Sequence, residues 1–284
     1  MMTPDQKLLI KATVPTLKEH GLLLTTHFYK RLFAGNPEFK NMFNQGNQQN
    51  GHQPLALAMA VLSYAEHIDD PSVLGSALNR IGHKHTSLDI RPEHYAIIGR
   101  HLLASISEVL GDAATPELLD AWGAAYAQLA SLMIGTEASL YAAQMAKPGG
   151  WTGWRPFIVR TRIEESEGVT TFHLYPADGG SVADHLPGQY LSVRLFLPGI
   201  NLLQPRQYNI SNVPNQVYYS ISVKRAAGAA LTTNGLISNR LYDVIQEGDH
   251  VDVSAPAGGH DPKLGIKEGV HGKESASQTL IPAA

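Results

Sequence analysis

Apolar residues recur at helical spacing in the first half of the chain and alternate in short runs in the second. Leu24, Phe28 and Leu32 stand four apart, which stacks them on one helical stripe. Upstream, Thr3-Pro4-Asp5 is a helix start with proline inside the first turn. "NPEF" after Gly35 opens a short helix, and "QPLALAMAVLSYAEHI" follows with Pro54 near its start. "PSVLGSALNRIGHKH", "RPEHYAIIGRHLLASISEVL" and "TPELLDAWGAAYAQLASLMIGTEASLYAAQ" each carry proline near a helix start. Strand signals are almost absent before residue 150.

The pattern then changes. Lys147-Pro148-Gly149-Gly150 breaks the last helix and reads as a linker. Beyond it, "RPFIVRTRIEE", "VTTFHLYP", "QYLSVRLFL", "QPRQYNIS", "VYYSISVKR" and "HVDVSAPAG" are β-rich runs separated by turn residues. Short strands in such number, within about a hundred residues, predict a small antiparallel barrel or sandwich. One helix, in "TTNGLISNRLYDVIQEGD", interrupts them, with Asn234 as its expected cap. Residues 259–284 are polar and glycine-spaced without a sustained period, and are expected to be a disordered tail. The expected architecture is therefore an all-α domain over 1–147 and an all-β domain over 151–258. No internal repeat is visible.

Composition narrows the chemistry. At 284 residues, 43% hydrophobic and 17% charged, the chain is an ordinary globular protein with room for two domains. A net charge of −3 without a basic cluster gives no footprint for nucleic acid. Cysteine is absent, which excludes thiol nucleophiles, disulfides, cysteine-ligated clusters and covalently attached haem. The start carries no apolar run fit for a signal peptide, and no segment approaches a spanning helix. A cytoplasmic monomer without membrane contact is the expectation.

The histidines pose a sharper question. "IGHKHTSLDIRPEHY" holds three of the 13. His83 and His85 are two apart, which on a helix sets them about 200° from each other and prevents shared coordination. On a strand the same pair could share a metal, but the flanks are helical. A single axial histidine remains open, since that is what a haem needs; so does a solvent-facing or capping histidine. Further on, Met133, Thr136, Glu137, Leu140 and Tyr141 share one side of a helix, so Glu137 sits on or beside an apolar stripe. A carboxylate there requires an N–H or O–H partner, and an imidazole would serve. Tyr29 beside Phe28, and Gln53 one turn before Leu57, are each unremarkable alone.

Together these residues form a resemblance. "HFYKRLF" at 27–33, "NPEFKNMFN" at 36–44, "NQQNGHQPLALAMAV" at 47–61, "HKHTSLDIRPEHYAIIGRHLL" at 83–103 and "DAWGAAYAQLA" at 120–130 resemble the globin domain of bacterial flavohaemoglobins. The resemblance implies haem b in a globin pocket with His85 as proximal iron ligand. It places Glu137 and Tyr95 behind that imidazole and Lys84 at a domain interface. Tyr29 and Gln53 would donate hydrogen bonds to bound O2, and Phe28 and Leu57 would line the apolar pocket. His27, His52, His83, His94 and His101 would have no iron-binding role.

The β half carries a second ordered set: "PGQY" at 187–190, "RQYN" at 206–209, "SVKR" at 222–225, "GLIS" at 235–238 and "APAG" at 255–258. In this order they resemble the six-stranded FAD-binding barrel of the ferredoxin reductase family. An arginine such as Arg206 can fork onto a pyrophosphate. Gly235 to Ser238 stand where a helix begins, which favours phosphate. By resemblance Tyr190, Gln207 and Tyr208 contact FAD, and Asn209 stands where the family has serine. The implied activity is nitric oxide dioxygenation, in which NO and O2 become nitrate with electrons delivered through FAD. The family's NAD(P)H-binding domain has no counterpart in this sequence, so an external reductase is expected to be required. The rival expectation is an O2- or NO-binding globin with a vestigial barrel.

Overall fold

In the computed structural model, residues 2–226 and 235–259 are described. Seven α-helices come first: α1 (Pro4–Ala12), α2 (Val14–Gly35), α3 (Gln45–Gln49), α4 (His52–Glu66), α5 (Gly75–Ser87), α6 (Pro92–Leu110) and α7 (Pro116–Met145). Their starts follow the sequence signals. Thr3 closes a capping box with Gln6, and the Thr115 side chain accepts from the Leu118 N–H. "NPEF" forms a 3-10 turn at Pro37–Asn41, and a second at Pro71–Leu74 precedes α5. The "NRIGHKH" run thus lies on a helix, as the spacing argument required.

The apolar stripe Leu24–Phe28–Leu32 is buried with Ile10, Phe39, Val61, Ala65, Leu102 and Ile106 in one core. A smaller cluster of Ile90, Tyr95, Ala130 and Met133 lies where α6 and α7 meet the α5–α6 turn. Gly99 permits the close approach of α6 to α7, because a methyl there would sit 2.7 Å from Cδ1 of Tyr126. Asp89 adopts a left-handed φ of 61° in the α5–α6 turn. Its carboxylate accepts from Nε of Arg91 at 2.7 Å, which fixes the bend ahead of Pro92.

After the linker come β1 (Trp154–Ser166), β2 (Val169–Pro176), β3 (Tyr190–Leu197), β4 (Leu202–Asn209), β5 (Tyr219–Lys224), α8 (Leu236–Asp243) and β6 (His250–Ser254). They form one antiparallel sheet in the order β4-β3-β6-β1-β2-β5. An antiparallel bridge between Ile210 and Ile221 joins the two edges and closes the sheet into a barrel. Inward residues such as Phe157, Val159, Phe172, Leu191, Val193, Ile221 and Val253 fill it. Helix α8 begins with Gly235 at its N-cap, and the expected cap Asn234 lies outside the described residues, as do 260–284 of the expected tail.

Candidate functional site

The helical half brings three sequence-predicted residues to one point. Helix α5 ends in its last turn with His85, α6 supplies Tyr95 from its first turn, and α7 supplies Glu137. Nδ1 of His85 lies 2.7 Å from Oε1 of Glu137 and 3.2 Å from the Tyr95 hydroxyl. The Tyr95 hydroxyl donates to the same Oε1 at 2.6 Å. Glu137 is only 2% exposed, so its carboxylate sits in apolar surroundings with an imidazole and a phenol as partners. Burial, then the hydrogen bond to Glu137, pushes the Tyr95 phenol well above its ordinary range, which keeps it a donor. Tyr126, missed in the sequence, donates to the Tyr95 carbonyl at 2.6 Å and steadies the backbone there.

No hydrogen bond reaches Nε2 of His85 among the described residues. With Nδ1 engaged, that nitrogen is the one left to bind a metal. No group of three or more His, Asp or Glu side chains is arranged to hold a metal ion among the described residues, and His83 is half-buried elsewhere on α5. His27 pairs with Glu108, His101 with Asn36, and Nδ1 of His94 accepts the Arg91 N–H. A single-histidine site is the arrangement these residues support.

Across from α5, Tyr29 on α2 and Gln53 on α4 are buried together, with Phe28 buried and Leu57 half-buried beside them. Burial raises the Tyr29 hydroxyl well above its ordinary range, while hydrogen bonding with Gln53 and then Gln48 opposes the rise. Gln48 reaches toward this hydroxyl from α3, yet its buried Nε2 finds no well-aligned partner. A narrow cleft lies between the two sides. Met42, Phe43, Asn47 and Gln53 form one wall, Lys84 and Leu88 another, and Pro205 and Gln207 of the barrel border it. Amides of Asn44, Asn47, Gln53 and Gln207 alternate with apolar side chains in this lining; buried Tyr29 hydrogen-bonds Gln53 behind it, and His85, with its unbonded Nε2, follows Lys84 on α5. That donor set fits a haem.

The barrel contributes a second grouping. Tyr208 is buried on β4, and its hydroxyl meets the Ser238 hydroxyl of α8 at 3.0 Å. Burial pushes the Tyr208 phenol up to about 12, against hydrogen bonding to Ser238 and the charge of Arg206. Tyr190 faces Asn209 in the β3–β4 register, and Asn209 is exposed. Gly258, at a φ of 99°, lies against the Tyr190 ring, where a methyl would stand 3.0 Å from Cε1. A cation, an aromatic side chain and a helix start are thus linked here: the charge of Arg206 acts on Tyr208, Tyr208 meets Ser238, and Gly235 caps the helix that carries Ser238. These are groups that suit a dinucleotide.

Lys84 and Gln207 join the two halves. The Lys84 ammonium donates to Oε1 of Gln207, whose Nε2 donates to Ser192 Oγ at 2.8 Å. Ser192 donates to Ser87 Oγ at 2.9 Å, and Ser87 donates back to the Lys84 carbonyl at 2.8 Å. Both ends of the Gln207 side chain are thus engaged at the interface. Burial first, and the charge of Arg206 second, pull the Lys84 ammonium down to about 7, although the residue as a whole is half-buried. Ser87 also hydrogen-bonds the Tyr190 hydroxyl, so the helix that carries His85 touches both β3 and β4.

Comparison with known proteins agrees with this geometry. Residues 26–133 match the globin family. The flavohemoprotein of Bordetella pertussis is 57% identical over 91% of this chain and 64% of that protein. The flavohemoprotein of Chromobacterium violaceum is 52% identical over the same shares. The crystal structure of a flavohemoglobin from Malassezia yamatoensis, with bound FAD and heme, has a TM-score of 0.80 at 28% identity, covering 90% of this chain and 64% of that one. Fold and site define the class: a globin joined to a reductase-type antiparallel barrel. The chain is similar to flavohaemoproteins along most of its length, and spans about 64% of the length of the curated relatives it matches. No helix among the described residues is long and apolar enough to cross a membrane.

Proposed function

We propose that this chain is the haem- and flavin-carrying part of a nitric oxide dioxygenase. When bound, haem b supplies the iron chemistry that turns NO and O2 into nitrate, and FAD supplies the electrons. The observation that carries the reading is the His85–Glu137–Tyr95 trio, which leaves one imidazole nitrogen free toward a metal while a buried carboxylate holds the other.

Each residue has a derived task. His85 would hold the iron through Nε2. Glu137 accepts the Nδ1 proton and makes the imidazole a stronger electron donor. Tyr95 donates to the same oxygen, so the carboxylate cannot turn away. On the opposite side Tyr29 stays protonated through burial and offers a donor, with Gln53, to a ligand that gains negative charge. Phe28 and Leu57 keep that space apolar. Arg206 and the first N–H groups of α8 would hold the FAD phosphates, and the rings of Tyr190 and Tyr208 would flank the flavin. Lys84 and Gln207 set the separation of the two cofactor sites. An added reductase is the proposed electron source for the sequence as given, and O2 and NO are the proposed substrates.

An absorption spectrum of the purified chain with added haemin tests the reading. A Soret band and FAD released on denaturation are expected. Haem without flavin would favour an O2- or NO-binding globin with a vestigial barrel, and uptake of neither would remove both readings.

A further inference from the structure

Helix α3, "QGNQQ", has five residues and no apolar period, so it cannot hold itself in water. It nevertheless carries Gln48 to the Tyr29 hydroxyl, and its flanking residues Met42, Phe43 and Asn44, with its own Asn47, wall the cleft. Its N-terminus needs partners for its unpaired N–H groups. Asn44 caps two of them, accepting from Gly46 at 2.9 Å and Asn47 at 3.3 Å. The Gln45 N–H is satisfied from the other domain, by Oε1 of Gln204 at 2.9 Å.

Gln204 is 3% exposed on β4. Its Nε2 donates to the Lys40 carbonyl at 2.8 Å and to the Leu203 carbonyl at 2.8 Å. One residue away, the Leu203 N–H donates to Oδ1 of Asn41 at 2.9 Å. Both ends of the Gln204 amide, and the backbone beside it, therefore grip the segment from Lys40 to Gln45. Three residues on, Gln207 of the same strand holds Lys84 on the far wall.

We infer that Gln204 is a positioning residue through which barrel strand β4 fixes the α3 segment, and with it the Gln48–Tyr29 side of the cleft. The inference rests on the proposed haem site for its functional meaning, but the clasp itself is a property of the chain. The barrel then does more than carry electrons. It holds one wall of the ligand pocket in the neighbouring domain, so the polarity and access of that pocket depend on docking.

The test is hydrogen–deuterium exchange of the full chain, comparing Gln204→Ala and the milder Asn41→Ala with the parent. Loss of the clasp is expected to speed exchange across residues 41–49 roughly tenfold, with residues 82–90 unchanged. With haem bound, the C–O stretch of the carbon monoxide adduct should shift or broaden in Gln204→Ala, while the ferrous iron–histidine stretch stays put. Gln204→Met, which keeps the volume but neither hydrogen-bonding end, should show the same exchange change as Gln204→Ala, which separates loss of the clasp from loss of packing. If Gln204→Ala does not fold, Asn41→Ala carries the test with a smaller change of the same kind. Parent-like exchange over 41–49 in both variants would overturn the inference. A chain that shows the exchange change but takes up no haem would instead sink the proposed function and leave the clasp standing.

Discussion

Glu137→Gln is the perturbation that tests the trio at least cost in shape. The amide is isosteric and can still accept from the Tyr95 hydroxyl and the His85 Nδ1–H, but it carries no charge. Glu137 accepts both bonds on Oε1, at 2.6 and 2.7 Å. A hydrogen bond to a charged group contributes about 1.5–3 kcal/mol and a neutral one about 0.5–1.5 kcal/mol. Across two bonds the trio therefore loses roughly 2 kcal/mol of interaction. Removing a charge that is 2% exposed returns part of this, because its desolvation is no longer required. Net stability should fall by less than about 2 kcal/mol, and haem uptake should survive. What should change is the electron donation through His85. Resonance Raman of the ferrous, haem-loaded variant is expected to show the iron–histidine stretch at clearly lower frequency. An unchanged band, with the variant folded, would refute the claim that Glu137 acts on the metal through the imidazole.

The remaining predictions concern packing and titration. Gly99→Ala places a methyl against the Tyr126 ring, which is tied to the Tyr95 carbonyl, and should cost about 1–3 kcal/mol in chemical denaturation. Gly135→Ala meets nothing within 4 Å on exposed α7 and should instead stabilise by about 0.5–1 kcal/mol; equal effects would refute the packing account. His185 is 6% exposed, with Nε2 against the Asn212 carbonyl at 2.9 Å and a buried, unpartnered Nδ1. Burial, with Lys147 adding to it and Asn212 and Asp184 opposing, depresses its pKa below the ordinary 6.5. The folded state therefore binds fewer protons than the unfolded one, so this contribution is whole above 6.5 and is lost as pH falls toward the depressed value. Melting temperature should drop from pH 7 to pH 5 less steeply in His185→Gln than in the parent, and parallel curves would contradict this.

Much of the proximal site was legible because it is expensive to place a carboxylate on an apolar helical stripe. Glu137 announced a partner, the helical setting of His83 and His85 ruled out shared coordination, and the family resemblance singled out His85. The barrel was legible from alternating runs and their turn residues. What remained hidden lacked a local signal. Helix α3 is five polar or glycine residues, so no period marks it. Tyr126 reads as ordinary core until its hydroxyl is seen on the Tyr95 carbonyl. Ser87, Ser192 and Gln204 are small or neutral polar residues whose partners lie more than a hundred residues away, beyond the reach of any spacing rule. Pro71 marked a 3-10 turn ahead of α5 rather than the α-helix itself, because proline fixes φ for either form.

The central claim is that one histidine, His85, binds a haem iron through Nε2. Its most direct test is haemin titration of the parent chain and His85→Ala, followed by resonance Raman of the ferrous forms. The account predicts one haem per parent chain with an iron–histidine stretch. In His85→Ala that stretch should be lost and then restored as an imidazole band when free imidazole is added. A parent chain that binds no haem, or a His85→Ala chain that keeps the same iron–histidine stretch, would contradict it.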